Sequence, residues 1–264
     1  MATWKLVVAY DGARFSGWQR QARDRSVQGT LEDAVTQLFG GTRITVHGAG
    51  RTDAGVHAHG QVASFRSEVP RDPERVRMGL NTILPKDVSV VDARIIEGDF
   101  HARIHAVNKL YRYIVLARRD RDPFHYDRAW HVRQAVDWTA VDACLALYVG
   151  THEFKGFRSA GCVMKRTVRT IHRAERREVA PGVHHLEFEG PGFLRYQVRI
   201  LTGTALDVGL GRRTLDDVRA ALATGERARA GDTAPPHGLY LVRVDHAQAL
   251  DDLPADNADD ADDA

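Results

Sequence analysis

Residues 4–10 (WKLVVAY) carry the strand-like alternation of apolar and polar positions, and Asp11-Gly12 ends it. The period then lengthens. Ser26 caps a predicted helix in which Val27, Leu31, Ala34, Val35 and Leu38 share one face, and Gly40-Gly41 stops it. Residues 43–47 read as a short strand, and residues 61–65 as another. Pro73 opens a second helix, with Val76, Leu80, Ile83 and Leu84 on its apolar side, and Pro85 halts it. Residues 88–96 form a further strand. The order β-α-β-β-α-β is that of a ferredoxin-like unit.

The remaining chain repeats this order loosely. Strands are predicted at 110–116 (LYRYIVL), 163–175, 184–189 (HHLEFE) and 238–244 (GLYLVRV). Helices are predicted at 138–148, 194–208 and 215–222. The expected fold class is therefore α+β: two ferredoxin-like units whose largely antiparallel sheets join around a central cleft. The expected division is 1–102, 103–250 and a tail, 251–264, the boundary falling near residues 98–108.

Charge changes the picture more than composition does. The formal net charge is +2. The tail DDLPADNADDADDA holds seven aspartates and no Lys or Arg, so 28 acidic residues face 37 basic ones in the rest, about +9. The part expected to fold is basic, which suits a phosphate-rich partner. The tail has too little apolar content to fold and is expected to be a disordered, solubilising end. Five basic residues are Lys and the others Arg; a planar fork suits phosphates and stacked bases, although a GC-rich genome gives the same bias. No run of 18 apolar residues suggests a membrane span, and the N-terminus lacks the order of a signal peptide. Two cysteines, Cys144 and Cys162, are too few for a disulfide framework; a reducing cytoplasm is expected.

The candidate chemistry centres on residues 48–65, GAGRTDAGVHAHGQVASF. Asp53 stands alone there between Arg51 and Gly55. A turn aspartate is the ordinary reading. Three glycines (Gly48, Gly50 and Gly55) supply the turns without it, and they suggest a permissive loop that a ligand backbone can approach. His57 and His59 hint at a metal, but no third ligand has suitable spacing. Two basic clusters are possible RNA contacts. One is 165–177 (KRTVRTIHRAERR), read either as a charged edge strand or as a phosphate track. The other is Arg14, Arg20, Arg23 and Arg25 around Phe15 and Trp18, read as backbone contacts interleaved with base-stacking rings. Tyr111 and Tyr113 share a strand face. Arg195 and Arg199 are placed at i, i+4 on a helix; Arg199 sits among residues that look buried, so it needs a carboxylate partner, for which Asp53 is a candidate.

Residues 48–65 resemble the signature loop of the tRNA pseudouridine synthase A family. The stretches YDGARFSGWQRQ, SVQGTLEDAV, DFHARIHAVNKLYRYIV, FKGFR, GFLRYQVRILTG and APPHGLYL agree with the family in order, so the likeness covers nearly all of residues 4–244. It implies conversion of uridine to pseudouridine at positions 38, 39 and 40 of the tRNA anticodon stem-loop. It also implies a homodimer, with no cofactor, no metal, no DNA and no membrane. Asp53 matches the family's essential aspartate, Tyr111 the tyrosine packed on the target base, and Arg199 a basic residue near that aspartate. Arg51 is expected to hold the flipped nucleotide. His59 receives no role. A glycosidase normally needs two carboxylates. Here no water is added and the uracil is retained, so one suffices. An ionised Asp53 can attack C1′, add to C6 or remove the 2′ hydrogen, and the sequence does not choose among them.

Two other classes fit parts of the sequence. A basic double ferredoxin-like protein could bind structured RNA without chemistry. Asp53 argues against that, because a carboxylate facing phosphates weakens binding. A metal hydrolase using His57 and His59 is the weaker alternative.

Overall fold

The computed structural model describes residues 1–159 and 166–247. The predicted tail 251–264, Cys162 and Lys165 lie outside the described residues. In the first part of the chain, β1 (Ala2–Tyr10), α1 (Val27–Phe39), β2 (His47–Gly48), β3 (His57–Ser67), α2 (Pro73–Ile83) and β4 (Val88–Ile96) follow one another. Then come β5 (Ala106–Ala117), β6 (Trp130–Val132), α3 (Trp138–Ala146), β7 (Gly150–Glu153), β8 (Val168–Ile171), β9 (Arg173–Ala180) and β10 (Val183–Gly190). The chain continues through α4 (Gln197–Gly209), α5 (Leu215–Thr224) and β11 (Leu239–His246).

Contacts group these elements into two compact units. One comprises Met1–Lys109 and the chain from Tyr240 onward; the other is Leu110–Leu239. The closing strand, counted with the second half in the sequence, thus groups mainly with the first. In the first unit the strands run β4-β1-β3-β11, and β2 also pairs with β3. All these pairings are antiparallel except β11 with β3, where Tyr240 lies opposite His57. In the second unit β10 lies between β5 and β9, and β6 runs parallel to β5. β7 and β8 form a separate antiparallel pair. The protein is α+β with mostly antiparallel strands. Among the described residues no helix is long and apolar enough to cross a membrane.

The alternation of β1 becomes its burial: Trp4, Leu6, Val8 and Tyr10 point to the core. Trp4 stacks on Phe65 and donates its indole N–H to Ser67 Oγ at 2.9 Å. In α1 the Ser26 hydroxyl accepts from Gly29 N–H, and Gly40 ends the helix at φ 76°. Val27, Leu31, Ala34 and Val35 are buried as expected, with Leu38 half-buried. In α2 the cap is Asp72 and Pro73 takes the first helical turn. α4 is buried almost all round, so its apolar pattern has no polar side to read.

Four expectations differ from the structure. The strand at 43–47 is only two residues, His47–Gly48. The strand at 61–65 extends from His57 to Ser67. Of the long strand at 163–175, residues 163–165 lie outside the described residues and the rest holds two strands, β8 and β9, broken at His172. α4 starts at Gln197, not Leu194, because Tyr196 is left-handed (φ 65°). Two short strands, β6 and β7, were not anticipated.

One buried charge went unread. Glu32 has no exposed surface, on the side of α1 flanking the apolar stripe, beside buried Gln28. Its carboxylate takes Arg20 at 3.0 Å, Arg43 at 2.5 Å and the Val46 N–H at 3.2 Å. The two arginines thereby tie the segments flanking α1 to the helix. Glu32→Ala takes the partner from the Val46 N–H and from Arg43 and leaves Arg20 with Asp33 alone. The expected loss, discounted because both arginines are partly exposed, is about 2 kcal/mol. Urea unfolding followed by fluorescence measures it; an unchanged midpoint would mean the network contributes nothing.

Candidate active site

The Asp53 loop runs from the end of β2 to the start of β3. Its glycines suggested freedom, yet the loop is clamped. Trp18 N–H donates to Thr52 O at 3.0 Å, and Gly55 N–H to Phe15 O at 3.3 Å. Ala49 N–H donates to Val62 O at 2.8 Å, and Gln61 Nε2 to Gly50 O at 2.9 Å. Thr52 Oγ1 lies 2.8 Å from the Tyr10 hydroxyl. Burial pushes that phenol well up, so it serves as a neutral hydrogen-bonding group.

The clamp is the segment after β1. A Cβ on Gly12 would stand 1.9 Å from Val56 O, one on Gly17 2.7 Å from Thr52 O, and one on Gly48 2.4 Å from the Trp18 ring. These glycines therefore serve close backbone approach. His57 joins in through Nδ1, which lies 3.0 Å from the Gly12 nitrogen and 3.1 Å from Asp11 Oδ1. The stretches YDGARFSGW and GRTDAGVH, separated in sequence, thus form one interlocked structure.

Asp53 sits at the head of a turn closed by Val56 N–H donating to Asp53 O at 3.2 Å, with Gly55 supplying φ 79°. The turn is thus made by main chain, and Asp53 is half-buried. Arg51 is exposed two residues earlier. Lys109 Nζ lies 3.6 Å from where a Gly50 Cβ would be, a cation beside the loop that the sequence reading did not pick out. A concavity of about 550 Å3 in the same unit, lined by Phe39, Arg43, Arg66, Arg71 and His101 among others, contains none of the four expected site residues.

Tyr111 and Arg199 belong to the second unit. Tyr111 is buried on β5, edge-on to Phe193 with ring centroids 5.3 Å apart. Arg199 is half-buried on α4 between buried Val198 and Ile200, as expected. Its Nε donates to Ala234 O at 2.8 Å, and its carbonyl accepts the Ala234 N–H at 3.1 Å. The adjoining Pro235 O accepts the Tyr113 hydroxyl at 2.7 Å, and Gly238 packs against the Tyr113 ring, where a Cβ would come within 2.7 Å. Arg195 is exposed and precedes the helix, so the expected i, i+4 pair on one helix does not exist. Both guanidiniums lie over the ring of Tyr196, at 5.0 Å for Arg195 and 4.7 Å for Arg199. The left-handed backbone of Tyr196 costs of order 1–3 kcal/mol.

The other sequence candidates find different uses. Phe15 and Trp18 are core residues and offer no stacking platform. Arg25 covers the Phe15 ring at 4.1 Å and pairs with Asp87; Arg20 pairs with Glu32 and Asp33. In the 165–177 stretch, Arg173 pairs with Glu175, Glu187 and Glu189, and Arg176 with Asp142. β9 ends the strand order in its unit, so these charges belong to a paired edge strand more than to a phosphate track. His57 and His59 both stack on Tyr240, and among the described residues no group of three His, Cys, Asp or Glu could hold a metal.

The clamp has a measurable consequence. Gly12→Ala forces Val56 away and is expected to lower stability by about 2–3 kcal/mol. It should also speed amide exchange at Trp18 and Gly55. Gly50→Ala meets only an ordinary contact, at 3.6 Å, and is expected to stay within about 0.5 kcal/mol of wild type. Equal effects of the two substitutions would remove the close approach as the reason for Gly12.

The family model described as tRNA pseudouridine synthase matches residues 6–103 and 144–246. A protein of Streptococcus equi subsp. equi named tRNA pseudouridine synthase A is 42% identical over 245 residues, covering 92% of this chain and 98% of that one. Proteins of the same name from Streptococcus mutans and from Geobacter sp. strain M21 are each 40% identical, covering 92% and 91% of this chain and 98% and 97% of their own. The second segment of the match includes Arg199 and the 234–238 segment, and the first includes the Asp53 loop with its clamp. The chain belongs to the tRNA pseudouridine synthase family.

Proposed function

We propose that this protein isomerises uridines 38, 39 and 40 in the anticodon stem-loop of tRNA, with Asp53 as its one essential carboxylate. That it is an isomerase acting on tRNA follows from the family; the positions and residue roles are our reading. The observation that carries the reading is the clamped loop. Three glycine contacts and a set of main-chain bonds hold a half-buried aspartate at a fixed turn that its side chain is not needed to close. Holding a reacting group in place is what lowers a barrier of this kind.

In the reaction the N1–C1′ bond breaks, the uracil turns, and C5 bonds to C1′. The C5 proton is lost and N1 gains one, so the product is an isomer and no cofactor is consumed. The target base is reached by flipping, at a cost of a few kcal/mol. Arg51, exposed beside Asp53, holds the flipped nucleotide. Tyr111 packs on the uracil and assists loss of the C5 proton. Arg199 binds substrate through its planar fork. The protein works in the cytoplasm as a homodimer. Residues 1–102 and 103–250 give its two ferredoxin-like units, except that the closing strand β11 pairs with β3 of the first. The first is supported by the order β1-α1-β2-β3-α2-β4 with strands arranged β4-β1-β3-β2.

Tritium release from tRNA labelled at uridine C5 tests the reading. Asp53→Asn is expected to reduce release by about 10³-fold or more, with tRNA affinity within about threefold of wild type. Tight binding without release by either protein would favour an RNA-binding module. Tyr111→Phe is expected to slow release at least about tenfold, again with binding retained. Normal turnover by Tyr111→Phe would remove the proton role and leave the stacking role.

A further inference from the structure

Among the described residues only Asp127 and Tyr196 have positive φ without being glycine. An aspartate enters that region readily; a residue with a ring does so only when its surroundings demand it. Tyr196 stands at the N-cap of α4, yet its side chain makes no capping bond. The left-handed residue closes a turn, with the Gln197 N–H donating to Leu194 O at 3.0 Å, which any residue tolerant of that backbone could do. What the tyrosine adds at that position is a ring. The Arg199 guanidinium lies over it at 4.7 Å, three residues on.

Arg199 is held from two other directions. Ala234 binds both its carbonyl and its Nε. With Nε committed and Cζ 4.7 Å from the centre of an aromatic ring, the guanidinium is held from two sides. A flexible arginine would have to be ordered by the substrate at the moment of binding.

We propose that Tyr196 is the positioning residue of Arg199: its left-handed backbone brings the ring under the guanidinium, and the ring sets the plane in which the fork meets the substrate. The inference rests on Arg199 being a substrate-binding group. The ring acts through its face, so the hydroxyl, 3.4 Å from Arg195 Nη2, is dispensable. A glycine at 196 would adopt the same backbone without strain and lack only the ring.

Single-turnover tritium release from C5-labelled tRNA, with thermal unfolding of each variant, tests this. Tyr196→Gly is expected to slow release at least about tenfold while its Tm stays within a few degrees of wild type, a combination that a merely structural ring would not give. Tyr196→Leu serves as a second ring-less variant, with the same slowing expected. Tyr196→Phe is expected to restore the rate to within about threefold of wild type. In Arg199→Ala, which is itself slow, adding Tyr196→Gly is expected to cost less than about twofold more, since the two act as one unit. Wild-type rates in both Tyr196→Gly and Tyr196→Leu, with Arg199→Ala slow, would overturn the positioning role alone. A wild-type rate in Arg199→Ala would overturn the role given to Arg199, and the inference with it. A Tyr196→Phe enzyme as slow as Tyr196→Gly would assign the function to the hydroxyl and overturn the role of the ring face.

Discussion

The contact between Gly12 and the Val56 carbonyl is the constraint on which the Asp53 loop depends. It admits no side chain at position 12, where a Cβ would stand 1.9 Å from that oxygen. The contact places the Gly12 N–H on His57 Nδ1 and the Gly17-Trp18 segment on Thr52. Without it the loop would keep the turn 53–56 and its bonds to Tyr10, Gln61 and Val62 but lose the segment packed across it. A carboxylate on such a turn could occupy many orientations, and its productive one would carry an entropic cost in every turnover.

The second unit fixes its candidate groups by a related device. Arg199 and the segment following Asp232 approach closely because Gly203 leaves no Cβ to meet Asp232 O, which would be 1.9 Å away. α4 can therefore lie against that segment, and Ala234 reaches both ends of Arg199. In both units, then, main-chain contacts take part in holding the candidate group. Such contacts are stiff, since a backbone bond adds no rotamers of its own. The arginines left over are mostly spent on carboxylates. Arg20, Arg25, Arg43, Arg112, Arg173 and Arg176 all have acidic partners. These pairs leave the positive balance outside the tail unchanged, since that balance already counts their carboxylates. Where the charge lies, as with exposed Arg51 beside the loop, matters more than the total.

The repeating pattern made most elements legible, and the failures have physical reasons. β1, α1, α2 and β4 were readable because one side of each is buried and the other wet, so the period is printed in the residues. β2 and β6 are too short to show a period, and α4 is buried on nearly every side. The start of α4 was misplaced because nothing in LRYQV announces a left-handed tyrosine, and with it went the supposed pairing of Arg195 and Arg199 on one helix. Glu32 was invisible for a different reason. A buried carboxylate is recognised by partners at positions 20 and 43, and these lie outside any local window.

The candidate site divides along the same line. Asp53 could be found, because a signature loop is a local pattern. Its rigidity could not, because glycine is ambiguous in sequence. The residue that permits every turn is also the only one that permits backbone to touch backbone. Gly55, at φ 79°, is of the first kind; Gly12, facing the Val56 carbonyl, is of the second. Only the partner across the contact tells them apart, and the partners of the Asp53 loop lie about forty residues away in YDGARFSGW. Read together, the two motifs describe one part: a cradle whose glycines mark where the chain is pressed against itself, and whose single carboxylate is held by that pressure.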